Sequence, residues 1–405
     1  MNIMKKRWQL LIASCFVALC IGSVYAWSAF ASPMRAYLSA CAGREIPNLS
    51  IVFTLVNAVG PVTMLCGGAV NDRLGPKGVL LAGGALFGGG MIGSGFARSV
   101  TALALTYGLG VGLGVGLIYG VIVSNTVKLF PDRSGLAGGI ITACYGASSV
   151  IMPPLIQRLS ETRHVTDAFK LLGAVMTVVI CATAFVIRPC PPDFQVPGTA
   201  QRSGGESRDY TCREMLREPD AWLMLLTLTC GAFAGMMVIS QASQIAQGMM
   251  GMAAGPAAVA VSVIALFNTL GRLGSGALSD RLGAPGALRI TFAASLLACI
   301  LLFFCPAEGR VPFYIGISVI GAAFGSVMGV YPGFTARRFG RRNNSVNYAV
   351  MFVGFALAGL TAPQITDTVL RASGRYQPAF LISAALALLG ELLIALLARA
   401  QKKSR

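Results

Sequence analysis

An eight-residue segment occurs twice in this chain and restricts what the chain can fold into. Gly68-Ala-Val-Asn-Asp72-Arg73-Leu74-Gly75 returns 208 residues later as Gly276-Ala-Leu-Ser-Asp280-Arg281-Leu282-Gly283. The separation is about half of the 405 residues, and each copy follows an apolar stretch long enough to cross a bilayer. A repeat at this distance predicts two similar halves, each built from membrane-spanning helices.

The composition excludes a soluble protein. Hydrophobic residues make up 55% of the chain and charged residues 12%, whereas a soluble protein carries about 25% charged residues. The N-terminal apolar run from Trp8 to Ser32 is too long for the core of a signal peptide, and many further runs follow. It therefore predicts a first transmembrane helix.

The apolar stretches predict twelve helices in two groups of six. They span residues 8–32, 49–70, 79–97, 101–126, 135–156, 168–187, 220–245, 256–278, 285–305, 311–332, 345–365 and 376–398. Proline, glycine and polar residues dominate 188–219, which predicts a flexible linker between an N-terminal half, 1–187, and a C-terminal half, 220–405. The predicted fold is an all-α membrane protein whose six-helix halves are related by pseudo-two-fold symmetry, as in duplicated transporters.

The basic residues predict how the chain crosses the membrane. If both termini are cytoplasmic, 22 of the 32 lysines and arginines face the cytoplasm, nine face outward and one lies within a span. This asymmetry follows the positive-inside rule and places the protein in the cell membrane with both termini in the cytoplasm. It also accounts for the net charge of +17 without a nucleic-acid partner. The lipid bilayer is then the main partner, and we expect a monomer.

Glycines recur at every fourth position of the fourth and tenth helices. They are Gly108, Gly112, Gly116 and Gly120 in the fourth helix, and Gly321, Gly325, Gly329 and Gly333 in the tenth. This spacing puts the glycines on one helix face and lets a neighbouring backbone approach closely in lipid. Close packing is a sufficient explanation, and a mobile helix interface is a further hypothesis.

The glycines and aspartates of the repeated segment each suit a particular structural role. Gly68 and Gly276 allow tight packing at a helix end, and Gly75 and Gly283 can end a helix with positive φ. The aspartates can accept hydrogen bonds from a neighbouring helix N-terminus or pair with arginine. We interpret the two copies as a latch that opens and closes, and the alternative is a helix stop with solvated charges. The latch residues are Gly68, Asp72, Arg73, Gly276, Asp280 and Arg281.

The repeated segment resembles that of the major facilitator superfamily, and the resemblance covers essentially the whole chain. Four short stretches narrow it to the oxalate/formate antiporter family. They are Tyr25-Ala-Trp27-Ser-Ala-Phe30-Ala-Ser-Pro33, Ile118-Tyr119-Gly120 followed by Phe130-Pro131-Asp132-Arg133-Ser134-Gly135-Leu136-Ala137, Glu214-Met215-Leu216-Arg217, and Asn347-Tyr348. The resemblance implies a transporter of small organic anions that needs no cofactor.

Arg272 lies inside the predicted eighth helix, eight residues before Asp280 and thus about 12 Å from the helix end. A charge at this depth costs about 2.5 kcal/mol or more unless it faces a polar cavity or a partner. We predict that Arg272 binds the anion through two hydrogen bonds to one carboxylate. A structural ion pair and snorkelling toward the cytoplasm are the alternatives. The register of the repeat puts Met64 at the corresponding position of the first half, so the site is asymmetric.

Aromatic residues complete the predicted site. Tyrosine combines an apolar face with a hydroxyl that can bond a carboxylate. The predicted wall comprises Tyr25, Trp27, Tyr119, Tyr145 and Tyr348, with Phe355 and Phe352 as apolar members, and the alternative for each is membrane packing. The family's oxalate carrier resembles this chain but has a lysine where alignment on Asn347-Tyr348 puts Phe355. With one cation instead of two, the sequence favours a monocarboxylate such as formate, lactate or pyruvate. A dicarboxylate that is paired with a cation or held by hydroxyls is the alternative.

Other functions fit the sequence less well. Exchange of one anion for another needs no titrating carboxylate, while proton symport would rely on Glu391, which lies near a helix end. An exporter of amphipathic cations would need a deep acidic residue in the first half. A receptor would need an output domain, and an enzyme would need a catalytic or metal-ligating cluster. We therefore expect no enzyme, no metal site and no cofactor.

Overall fold

The computed structural model describes residues 3–46, 48–191, 194, 196 and 208–403, and nearly all of them are helical. The helices are α1 Ile3–Ile21, α2 Trp27–Ala42, α3 Ser50–Leu74, α4 Pro76–Ser94, α5 Val100–Leu103, α6 Gly112–Leu129, α7 Ser134–Thr162, α8 Val165–Val186, α9 Cys212–Arg217, α10 Pro219–Met250, α11 Ala254–Phe303, α12 Arg310–Phe339, α13 Asn344–Ser373 and α14 Gln377–Lys403. A 3₁₀ turn, Gly22–Ala26, joins α1 to α2, and a π-helical stretch, Ala104–Val111, joins α5 to α6.

Every predicted span has a helical counterpart, so the prediction of an all-α membrane fold is confirmed. Ten helical stretches of the described chain are long and apolar enough to cross a membrane. One of them is the long α11, which contains both the eighth and the ninth predicted helices. Several helices run past their predicted ends, and α13 reaches Ser373 instead of residue 365. Hydropathy misses such terminal turns, because a helix that leaves the apolar region keeps its backbone hydrogen bonds.

The last glycine of each repeat ends a helix with a positive φ, as predicted. Gly75 has φ 84° between α3 and α4, and Gly283 has φ 76° where α11 bends. Glycine reaches this region without the steric penalty that a side chain would bring. The two repeats therefore form the same corner, which in the second copy divides α11 into two arms.

The described residues pack as two compact units. Unit 1 contains those of Met1–Asp132, Cys144–Asp209 and Gly340–Ala349, and unit 2 those of Arg133–Ala143, Tyr210–Phe339 and Val350–Arg405. Each unit thus includes the beginning of a helix that the sequence assigns to the other half, α7 in unit 2 and α13 in unit 1. The division at 187 and 220 stays a prediction, and positions 192–193, 195 and 197–207 of the linker lie outside the described residues.

The glycines of α12 lie against α11 within unit 2. A methyl group added at Gly329 would lie 2.5 Å from the Arg272 carbonyl oxygen, and one at Gly321 would lie 2.8 Å from that of Ile264. Gly325 meets the Asn268 carbonyl in the same way. The predicted ladder therefore brings two backbones together and holds the turn of α11 that carries Arg272.

Candidate functional site

Arg272 is a buried cation. Its side chain is among the largest fully buried side chains of the described residues, with 1% of the residue exposed. Its Nε donates to Asn268 Oδ1 at 3.1 Å, and Nη1 donates to the Thr142 carbonyl oxygen at 2.8 Å. Among the described residues no carboxylate lies within 4.0 Å of the guanidinium. Neither the ion pair nor the snorkelling considered from the sequence describes this arginine.

The guanidinium retains hydrogen-bonding capacity. A guanidinium has five N–H donors in a fixed plane, and the two bonds to Asn268 and Thr142 use two of them. The remaining three belong to the terminal nitrogens Nη1 and Nη2. Because Asn268 occupies Nε, the terminal pair is the edge that suits a carboxylate in a bidentate arrangement.

Asp280 binds the N-terminus of α7. Its two carboxylate oxygens accept from the backbone N–H groups of Gly135 and Leu136, each at 2.8 Å. Arg337 of α12 donates to the same carboxylate at 2.9 Å. An anion is stabilised at this position by unpaired amides and by the positive end of the helix dipole. Both kinds of partner considered for this aspartate in the sequence are thus present.

Between Asp280 and Arg272, the backbones of α7 and α11 touch. A methyl group at Gly139 would lie 2.5 Å from the Arg272 carbonyl oxygen, and one at Gly276 would lie 3.0 Å from the Gly139 Cα. These contacts leave no room for a side chain on either glycine. We call this contact face the α7–α11 seam, and it comprises Gly135, Gly139 and Thr142 of α7 with Arg272, Gly276 and Asp280 of α11.

The first copy of the repeat binds a helix N-terminus in unit 1. Asp72 accepts from Lys128 Nζ at 2.5 Å and from the backbone N–H of Val346 at 3.3 Å, near the start of α13. A methyl group at Gly68 would lie 2.9 Å from the Ser345 carbonyl. Asn71 adds a buried bond from Nδ2 to Ser345 Oγ at 2.8 Å. Here a lysine takes the place of the arginine considered from the sequence.

The arginines of the repeat are placed differently from the aspartates. Arg73 and Arg281 are both exposed. Neither makes an ion pair or a side-chain hydrogen bond within the part of the chain that the structure describes. Their membership in the latch stays a prediction, and the charge partners of the two aspartates come from Lys128 and Arg337.

The predicted aromatic residues form separate groups. In unit 1 the Tyr145 ring lies 5.1 Å from that of Tyr25 and 4.8 Å from that of Tyr119. Trp27 is buried and packs on Tyr107 with ring centroids 4.6 Å apart. Tyr348 belongs to the same unit and is buried. The three clustered tyrosines thus form one wall, while Trp27 has the packing contacts of a core residue.

Phe355 belongs to an apolar group in unit 2. Its ring stacks on Phe352 at 4.5 Å and lies 6.2 Å from Phe324. No ammonium or guanidinium group of the described residues lies over the Phe355 ring. The position of Phe355 is therefore part of an aromatic cluster.

Sequence reasoning missed the two partners of Arg272. Asn268 precedes Arg272 by four residues, a spacing at which helix side chains meet, so this partner was within reach of the sequence. The Thr142 carbonyl is a backbone group on another helix, so the pattern of side chains could not predict it as a partner. Glu391 also gains a partner, since Arg289 Nε donates to it at 2.7 Å.

Comparison with known proteins places the chain in a family. The model of the Major Facilitator Superfamily matches residues 15–363. The chain is 29% identical to the MFS-type transporter YhjX of Escherichia coli, over 89% of this chain and 87% of that protein. It is 28% identical to the oxalate:formate antiporter of Oxalobacter formigenes, over 95% and 89%. It is 27% identical to the mouse monocarboxylate transporter 11, over 88% and 80%.

A solved structure agrees on the fold. The chain superposes on the MFS transporter FucP with a TM-score of 0.72 and 13% identity, covering 96% of this chain and 98% of that one. Members of this family are multi-pass membrane transporters, which is also what the ten apolar spans indicate. The family resemblance read from the repeated segment is thus confirmed, and the chain belongs to the Major Facilitator Superfamily of membrane transporters.

Proposed function

We propose that this transporter carries a small monocarboxylate, that Arg272 binds the carboxylate, and that transport proceeds by alternating access. One observation carries the proposal: the Arg272 guanidinium is buried, lacks a carboxylate partner among the described residues, and has three N–H donors left over. A buried charge is costly unless it is paired. A substrate carboxylate supplies the missing charge and accepts two of these donors.

The surroundings of the site favour one negative charge over two. The aromatic group of Phe324, Phe352 and Phe355 offers apolar surface and no donor. A second carboxylate placed against it would lose hydration without gaining a partner. Relatives named as an oxalate:formate antiporter and a monocarboxylate transporter support a carboxylate substrate.

The two aspartates of the repeat support a conformational role for the repeated segments. Each carboxylate binds the start of a helix from the other half of the sequence, α13 for Asp72 and α7 for Asp280. Hydrogen bonds between a carboxylate and backbone amides can form and break without leaving a group unpaired where water replaces them. We infer that these contacts close and open during transport. The count of basic residues supports a cytoplasmic location for both termini and for these contacts.

We favour anion exchange over proton symport. The acidic residue of the last helix, Glu391, already pairs with Arg289. Exchange requires only that one anion replace another on Arg272. Symport with a proton bound by the substrate itself is the alternative.

The test is uptake of labelled formate, lactate, pyruvate and oxalate into proteoliposomes that contain the purified protein. We expect saturable uptake of a monocarboxylate that is accelerated by unlabelled substrate inside the vesicles. Acceleration by internal substrate identifies exchange, whereas stimulation by an inward proton gradient alone identifies symport. Uptake restricted to neutral or cationic solutes contradicts the proposal.

A lysine at position 355 is expected to shift selectivity toward a dicarboxylate. Phe355→Lys adds a cation beside the aromatic group, where the parent offers no charge for a second carboxylate. We expect oxalate uptake to rise about tenfold relative to the monocarboxylate, as one added ion pair of about 1.4 kcal/mol would give. Phe355→Met, which removes the ring without adding charge, is the control. An unchanged ratio of oxalate to monocarboxylate uptake places residue 355 outside the site.

A further inference from the structure

Arg272 belongs to the α7–α11 seam as well as to the proposed anion site. The two helices run antiparallel across the seam and meet at three levels. Asp280 binds the amides of Gly135 and Leu136, Gly276 lies on Gly139, and Arg272 binds the Thr142 carbonyl. The contact residues are four apart on α11, and four and then three apart on α7. On each helix this spacing puts them on one face. The arginine is thus the deepest of three contacts that hold residues 133–143 in unit 2.

The three contacts differ in how they respond to an anion. The glycine contact is packing of one backbone on another and has no charge. The Asp280 contact already joins an anion to a helix N-terminus. The Arg272 contact joins a cation to a neutral carbonyl oxygen, which is a weaker acceptor than a carboxylate. Arg337 at the Asp280 contact already pairs with a carboxylate, whereas the partners of the Arg272 cation among the described residues are neutral.

The geometry also shows how the competition would work. Asn268 holds Nε from within the same helix, so this bond does not depend on α7. Thr142 holds Nη1, one of the two nitrogens that the carboxylate needs. A bidentate contact with Nη1 and Nη2 requires the carboxylate to lie in the plane of the guanidinium, at the edge formed by these two nitrogens. Turning the plane about the anchored Nε moves Nη1 relative to the Thr142 carbonyl.

We propose that the hydrogen bond from Arg272 to the Thr142 carbonyl is a substrate-sensitive connection between α11 and α7, which we call the tie. Without an anion it connects residues 133–143 to α11 through the Thr142 carbonyl, and a carboxylate bound to the terminal nitrogens turns the guanidinium away from this carbonyl and loosens the seam. The inference rests on the proposed function, since it assigns a second role to the same guanidinium. It also supplies a physical reason for exchange: the empty protein keeps its tie, so the seam opens readily only when substrate is bound.

The tie is tested with a cysteine placed in the seam. Ser279 of α11 is small and 1% exposed, and its hydroxyl oxygen lies against Gly135 of α7. Ser279→Cys is introduced after the eleven native cysteines have been replaced, and its rate of modification by a maleimide is measured in proteoliposomes. Ala372→Cys, at an exposed position of α13, reports on reagent access alone. The anion is the monocarboxylate that the uptake assay identifies, with potassium chloride as its control.

We expect the anion to accelerate modification of the Ser279→Cys variant about tenfold, and to leave the control position unchanged. Adding Arg272→Gln is expected to give the fast rate without anion and no further response to it. Adding Asp280→Asn is expected to raise the rate without anion but to preserve the acceleration, because the tie is intact.

Three results overturn the tie. One is a rate in the parent that does not respond to an anion it transports. Another is a slow rate in Arg272→Gln. The third is loss of the response in Asp280→Asn, a result that stays informative if the arginine variant does not fold. If uptake itself is unchanged by Arg272→Gln, the proposed anion site fails together with the tie, and the uptake assay shows this independently of the labelling rates.

Discussion

Arg272→Gln is expected to lower kcat/KM for the transported carboxylate by about 100-fold or more. The substitution keeps a polar side chain but removes the charge and the paired terminal donors. Each hydrogen bond to a charged group contributes about 1.5–3 kcal/mol, and loss of two such bonds corresponds to at least this decrease. The measurement is the initial rate of labelled monocarboxylate uptake over a range of concentrations.

Two further variants separate charge from geometry. Arg272→Lys keeps one positive charge without the planar pair of donors, and we expect a loss of about tenfold, because a bidentate contact becomes a single one. Arg371→Gln removes an exposed arginine at the end of α13 and is expected to transport at the parental rate. Equal transport by Arg272→Gln and the parent would make Arg272 a structural residue.

Gly139→Val is expected to abolish transport by keeping the seam from closing. Even a methyl group at this position would lie 2.5 Å from the Arg272 carbonyl oxygen and 3.2 Å from the Gly276 Cα. Both neighbours are backbone atoms, which move only if a helix moves. Overpacking of this kind costs about 1–3 kcal/mol or more. If the seam closes once in each cycle, we expect a fall in transport of tenfold or more, measured in the same uptake assay.

The matched control for Gly139 lies on the partner helix. Gly274 of α11 has no atom within 4 Å of an added methyl group, so Gly274→Ala is expected to retain transport and to be slightly more stable, since alanine favours helices. The amount of folded protein in the membrane is measured for both variants by size-exclusion chromatography in detergent. Parental transport by a folded Gly139→Val variant would show that the seam does not close during transport.

The positions of the helices could be predicted because lipid leaves few choices. A backbone that crosses a bilayer must bond within itself, so every long apolar stretch is a helix. The corners at Gly75 and Gly283 followed from the same reasoning, since a polar segment that ends in glycine stops a helix with positive φ. The helix ends were less accurate, as at α13, because polar terminal turns carry no hydropathy signal.

Only part of the candidate site could be predicted from the sequence. Arg272 stands out because a charge in an apolar span is rare and costly. The sequence predicted that Asp280 would bind a helix N-terminus or an arginine. It did not show that the N-terminus would be that of α7. Arg73 and Arg281 looked equivalent to the aspartates beside them, but the structure leaves both exposed. In a helix adjacent residues point in different directions, and only packing decides which of them meets a neighbour.

The sequence by itself determined that the chain spans a membrane many times, that its two halves share a repeated corner, and that one arginine lies in an apolar span. These are consequences of composition and periodicity, which act locally along the chain. Only the tertiary structure decided that the start of α7 packs with α11 and that Arg272 binds the Thr142 carbonyl. Every residue carries the same backbone carbonyl group, so the sequence does not indicate which carbonyl will accept a hydrogen bond from Arg272. That partner is determined by how closely the two helices approach each other.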